Sequence, residues 1–174
     1  MRRTVLAVVG ALGCLLAMMT GAAGAETRRF ALVVANGRSL DPEVRPLEFA
    51  DDDAARWAEL FDVVADRVEL LAVLDAPSQR VFAREAARAS PPDRPNLLAT
   101  LGSLYAQMER ERAAGREVVF YFVLIGHGDI GPGGEGYVSL LDGPFGRTDL
   151  YREVIARSPA TINHIIVDAC NSYF

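Results

Sequence analysis

The sequence predicts an α/β domain built on a mostly parallel central sheet. Short β-branched runs that are apolar on both faces read as buried strands of such a sheet. Segments with helical apolar spacing alternate with them. A glycine-rich loop follows the strongest run, and sheets of this kind collect their chemistry beyond the carboxyl ends of strands. The 174 residues suffice for one domain, and 51 % hydrophobic against 24 % charged residues describes a packed chain and not a disordered one. A net charge of −5 with a pI near 5.1 disfavours a nucleic-acid footprint, which needs a basic face.

The amino-terminal "MRRTVLAVVGALGCLLAMMTGAAGAE" stands apart from this pattern. Arg2 and Arg3 form a basic start, Val5 to Met19 an apolar centre, and Ala23-Gly24-Ala25 a small-residue cleavage site. The expectation is a signal peptide over 1–25, cut after Ala25, and a mature domain over 26–174 exported to the periplasm or the exterior. The apolar run is short for a bilayer span and lacks a basic stop-transfer flank, so no stable membrane association is expected. Cys14 lies in the middle of the apolar run, which makes a lipidated cysteine the lesser reading. Removal of the segment leaves Cys170 as the single cysteine, which rules out an intramolecular disulfide. An odd cysteine in an exported chain implies an intermolecular bond or a reactive thiol.

In chain order, "RFALVVAN" (Arg29 to Asn36) is the first strand, closed by Asn36-Gly37, and a loop with Pro42 and Pro46 follows. "ADDDAARWAELFDVV" sets Trp57, Leu60, Phe61 and Val64 on one helical face. "VELLAVL" (Val68 to Leu74) is a second strand, and a short helix over "SQRVFAREAARA" precedes a proline-rich loop. Leu97, Leu98, Leu101, Leu104, Tyr105 and Met108 mark a long helix with Asn96 as N-cap and Gly115 as stop. "EVVFYFVLI" (Glu117 to Ile125) is the third and strongest strand. After the glycine-rich loop, "YVSLL" and Asp142-Gly143 make a small ribbon with a turn. "TDLYREVIARS" is an amphipathic helix capped by Thr148, and "INHIIVD" is the last strand.

Two chemically potent residues fall just past strand ends: His127, between two glycines, and Cys170, two residues after Asp168. A thiol becomes a strong nucleophile as thiolate, and histidine is the usual base beside it. Each residue has a plain alternative, an idle loop histidine and a small buried hydrophobe. Their joint placement at the ends of strands speaks for a dyad, provided those strands are neighbours. The second histidine, His164, sits within the last strand and reads as a partly buried, hydrogen-bonded side chain.

"FYFVLIGHGD", followed 43 positions after its histidine by the cysteine of "IIVDACNS", resembles the motifs of the caspase-like cysteine peptidases. Caspases carry Gln-Ala-Cys with a histidine about 50 residues upstream; Asp168-Ala169-Cys170 has aspartate there, as metacaspases and many bacterial members do. "RFALVVANGRS" and "PLEFADDDAARWAELF" are similar to the family's first strand and first helix, so the likeness spans most of Arg29 to Ser172. The resemblance implies a caspase-like three-layer sandwich and cysteine endopeptidase activity on a protein or peptide substrate. His127 would be the general base and acid, Cys170 the nucleophile, and the amides of Gly128 and Cys170 the oxyanion hole. Asp53 and Asp168 match positions lining the primary specificity pocket, which implies cleavage after arginine or lysine. No metal or organic cofactor is implied.

Plain alternatives stand beside the pocket reading, since Asp51, Asp52 and Asp53 open a helix where acids favour the macrodipole, and Asp168 also ends a strand. The sequence departs from the family pattern at Ile125, where a serine or another small residue is usual before Gly-His. The family's sheet also continues past the cysteine, so the chain is expected to be cut from a longer protein, its C-terminal strands missing. Two rival readings remain: a catalytically silent caspase-like binding or regulatory module, and a structural domain whose lone cysteine pairs with another chain.

Overall fold

The structure is a computed structural model that describes residues 25–170. Residues 1–24, which hold Cys14 and nearly all of the expected signal peptide, and the final "NSYF" lie outside the described residues. The elements are β1 (Thr27–Asn36), α1 (Ala50–Val64), β2 (Arg67–Leu71), α2 (Ala76–Val81), α3 (Ala83–Arg88), α4 (Arg94–Ala113) and β3 (Glu117–Gly126). Then come β4 (Gly128–Ile130), β5 (Gly136–Ser139), β6 (Pro144–Gly146), α5 (Arg147–Asp149), a π-helical turn (Leu150–Ile155) and β7 (Ile162–Ala169). Strands β2-β1-β3-β7 form one sheet, parallel at every pairing, and helices flank it in an α/β sandwich. No helix among the described residues is long and apolar enough to cross a membrane.

Alternation along the central strands divides the core into two layers. Phe30, Leu32 and Val34 of β1 and Phe120, Phe122 and Leu124 of β3 face Leu97, Leu101, Leu104 and Met108 of α4. Ala31, Val33, Ala35, Val123 and Ile125 face α1 on the other side. Strands buried on both faces must be apolar throughout, which is why β1 and β3 stood out in the sequence.

Several boundaries and faces differ from the expectation. The buried stripe of α1 is Ala50, Ala54, Ala55, Ala58 and Phe61, whereas Leu60 and Val64 are exposed. Small side chains let the helix lie close on the sheet, and Phe61 fills the far end between Trp57 and Tyr121, at ring separations of 5.5 and 5.1 Å. The second strand stops at Leu71, where the Ala72 amide turns to the Ser90 carbonyl. The expected single short helix is two, α2 and α3.

The N-cap of α4 is Asp93, not Asn96; its carboxylate accepts the Asn96 amide at 2.9 Å. Pro95 suits a first helical turn, where its missing N–H costs nothing, so the helix starts ahead of it. Gly115 follows the end of α4 with φ +79°, as expected of a stop. Thr148 is no cap either: its amide is held by the Glu135 carboxylate, and the helix it was to open is the three-residue α5 running into the π turn. The Tyr105 hydroxyl bridges the Glu153 and Val154 carbonyls of that turn at 3.0 and 2.8 Å. The expected ribbon is three-stranded, with β4 and β6 pairing on either side of β5.

Candidate active site

Strands β3 and β7 are hydrogen-bonded neighbours in parallel register, with Ile125 beside Asp168 and Gly126 beside Ala169. His127 and Cys170 are the next residues on each strand, so both emerge at the same edge of the sheet. They line one cleft of about 390 Å³ together with Asp53, Asp168, Glu48, Phe49 and Ile125. Every residue singled out in the sequence as catalytic or substrate-binding is therefore at this place, except that Gly128 stands just behind the wall.

Gly128 is tied to the site by contact. A Cβ there would collide with the Cys170 carbonyl and come within 3.2 Å of the Ala169 side chain. Only glycine lets the loop after β3 press against the end of β7. The carbonyl of His127 accepts the Ser139 amide at 2.9 Å, which fixes the same loop to the antiparallel ribbon.

The imidazole of His127 is half-buried, and its Nε2 lies 3.1 Å from the Arg45 carbonyl. A carbonyl oxygen can only accept, so Nε2 carries the proton and donates it, leaving the lone pair of a neutral ring on Nδ1. Arg45 belongs to the proline-bearing loop before α1, and sequence reasoning missed it. A backbone carbonyl leaves no trace in residue identity. Cys170 is a free, exposed thiol.

Asp53 is exposed in the first turn of α1. Phe49 precedes that helix without any side-chain cap, and the carboxylate that does secure a neighbour there is Asp51, accepting the Asp75 amide at 2.8 Å. Asp168 faces α1 in step with Ile125 and is also exposed. Glu48 adds a third carboxylate to the cleft, and Phe49, 60 % exposed, gives it an aromatic lip. Ile125, 4 % exposed, makes the floor apolar.

A larger cleft of about 600 Å³ adjoins this one through Leu47 and Glu48 and is lined by Arg38, Arg45, Asp51 and Asp75. It holds neither the histidine nor the cysteine, so the smaller cleft is the candidate. His164 is not the partly buried, hydrogen-bonded side chain expected: it is exposed and stacks on Tyr121 at 4.8 Å, six residues upstream of the cysteine. Among the described residues, no group of three or more His, Cys, Asp or Glu side chains is placed to hold a metal ion. Compared with protein-family models, curated proteins and solved structures, the chain matches none.

Proposed function

We propose that the chain carries the catalytic pair of a caspase-like cysteine endopeptidase that cleaves after arginine or lysine. The observation supporting this most directly is the β3–β7 register, because it sets a histidine and a cysteine side by side at adjoining strand ends on one acidic cleft. In the proposed reaction, Nδ1 of His127 takes the Cys170 proton while the sulfur attacks the scissile carbonyl carbon. The Gly128 and Cys170 amides receive the oxyanion. His127 then returns the proton to the leaving amine, and the C–N bond breaks to leave a thioester. Water, deprotonated by His127, releases the carboxylate product and restores the thiol.

The substrate side chain sits between Asp53 and Asp168, with Glu48 adding negative potential. The apolar floor at Ile125 suits the methylene stem of arginine or lysine more than its charged head. No cofactor takes part. The test is turnover of peptides with arginine, lysine or aspartate before the scissile bond. The arginine peptide should lead, and Cys170→Ala and His127→Ala should abolish turnover of all three. A preference for aspartate would end the basic pocket but leave the dyad standing. No cleavage of any of the three, with a thiol no more reactive than glutathione, would favour the silent binding module.

Export belongs to the same proposal. The amino terminus recovered from a secreting host should be Glu26, whereas intact Met1 in a membrane fraction would mark the segment as an anchor.

A further inference from the structure

Asn36 ends β1, 5 % exposed, in register with Gly126 and therefore one step below His127. Its side chain makes three hydrogen bonds. Oδ1 accepts the Arg38 amide at 3.1 Å, while Nδ2 donates to the Arg38 carbonyl at 2.9 Å and to the Ser139 carbonyl at 3.0 Å. The first of these is an ordinary Asx turn, which asparagine, aspartate and serine all make at strand ends. The bond to Ser139 crosses 103 positions of sequence and no turn requires it.

Both polypeptide segments fixed by this amide lead to His127. Ser139, whose carbonyl Asn36 holds, donates its own amide to the His127 carbonyl at 2.9 Å. Arg38 opens the loop that returns at Leu47, whose amide bonds the Gly37 carbonyl at 2.8 Å; within that loop lies the Arg45 carbonyl that receives His127 Nε2 at 3.1 Å. The loop ends are in close contact, since a Cβ on Gly37 would stand 2.9 Å from the Leu47 carbonyl oxygen.

We propose that Asn36 is a positioning residue for His127, joining the strand that anchors the histidine backbone to the loop that orients its ring. Asparagine suits the task because one planar group supplies two donors and an acceptor in fixed directions. Aspartate keeps the acceptor but turns an oxygen toward two carbonyls. Serine keeps a shorter acceptor that does not span to Ser139. This inference rests on the dyad reading, so its test measures both.

Rates of Cys170 alkylation by iodoacetamide from pH 5 to 9 should be compared in the wild type, His127→Ala, Asn36→Asp and Asn36→Ser. The wild type should exceed glutathione at pH 6, and His127→Ala should lose the excess. Both Asn36 variants keep the turn yet should lose about ten- to a hundred-fold of that excess, the scale expected of a misplaced catalytic group. At pH 9, where thiols ionise unaided, all four proteins should agree within about twofold. A residue that only stabilised the fold would leave the pH profile of the folded variants unchanged. Should Asn36→Asp fail to fold, Asn36→Ser decides alone. A full excess at pH 6 in a folded Asn36 variant overturns the inference, whereas no excess in the wild type overturns the dyad itself.

Discussion

Gly128 and Asp53 show how much single residues decide at this site. Since a Cβ at position 128 would run into the Cys170 carbonyl, Gly128→Ala must push the loop after β3 away from the end of β7. The expected cost is about 1–3 kcal/mol of stability, typical of overpacking, with turnover falling far more than stability implies. Urea unfolding alongside peptide hydrolysis would separate the two effects. Turnover at wild-type level in a folded Gly128→Ala would mean that the loop and strand need not touch. Asp53 separates two physical roles. As a macrodipole partner it should give Asp53→Asn a loss of roughly 0.3–1 kcal/mol with selectivity intact. As a pocket carboxylate it should give a markedly weaker arginine preference at nearly unchanged stability. Its place in the cleft favours the second outcome.

At the scale of elements, the sequence showed strands more faithfully than helices. Strands β1 and β3 declare themselves by continuous apolar runs, because burial on both faces demands it, and β7 by its Ile165-Ile166-Val167 run, although only part-buried. Helix α1 misled, since large apolar residues at helical spacing outweigh alanines in any reading of periodicity, yet the packed face is the alanine one. Ala58→Leu should therefore destabilise by about 1–3 kcal/mol, while Leu60→Ala stays within about 0.5 kcal/mol. Thermal unfolding of the two variants would check this, and the reverse order would place the helix on its other face. The π turn was illegible because tertiary partners hold it: Tyr105 from α4 and Arg94, whose guanidinium meets Asp149 at 2.9 Å. Partial burial works to raise the Asp149 carboxyl, but Arg94 and the Gly146 amide outweigh it and hold the group below the ordinary aspartate range. A carboxyl depressed in the folded state contributes stability present above its unfolded value, near 3.9, and lost as pH falls through the folded one. The melting temperature should thus drop below about pH 4, and Asp149→Asn should flatten that acid limb while costing about 1–2 kcal/mol at pH 7. An acid limb as steep in the variant as in the wild type would assign it to other carboxylates.

For the molecule as a whole, the sheet sets where order is greatest. Strand β3 lies between β1 and β7 and is almost wholly buried, while β7, with one partner among the described residues, leaves Ile162, His164 and Asp168 exposed. Amide exchange should be slowest in β1 and β3 and faster along β7, since local opening follows packing. Equal protection in all three would point to a further covering of β7. The pairing of the motifs around His127 and Cys170 was legible in sequence, but their meeting depended on β7 lying next to β3, which no local pattern fixes. Nor could the sequence reveal the carbonyl of Arg45 or the reach of Asn36 to Ser139, both made by backbone placement. Covalent capture tests whether this arrangement activates the thiol. The protein should be treated at pH 6 with a peptidyl-arginine chloromethyl ketone, with its aspartate counterpart in parallel, and mapped by mass spectrometry. The expected result is a single adduct on Cys170, formed faster with arginine and suppressed in His127→Ala. Labelling of Cys170 at the same slow rate with both reagents, and in both proteins, would contradict the assignment of Cys170 and His127 as a catalytic pair.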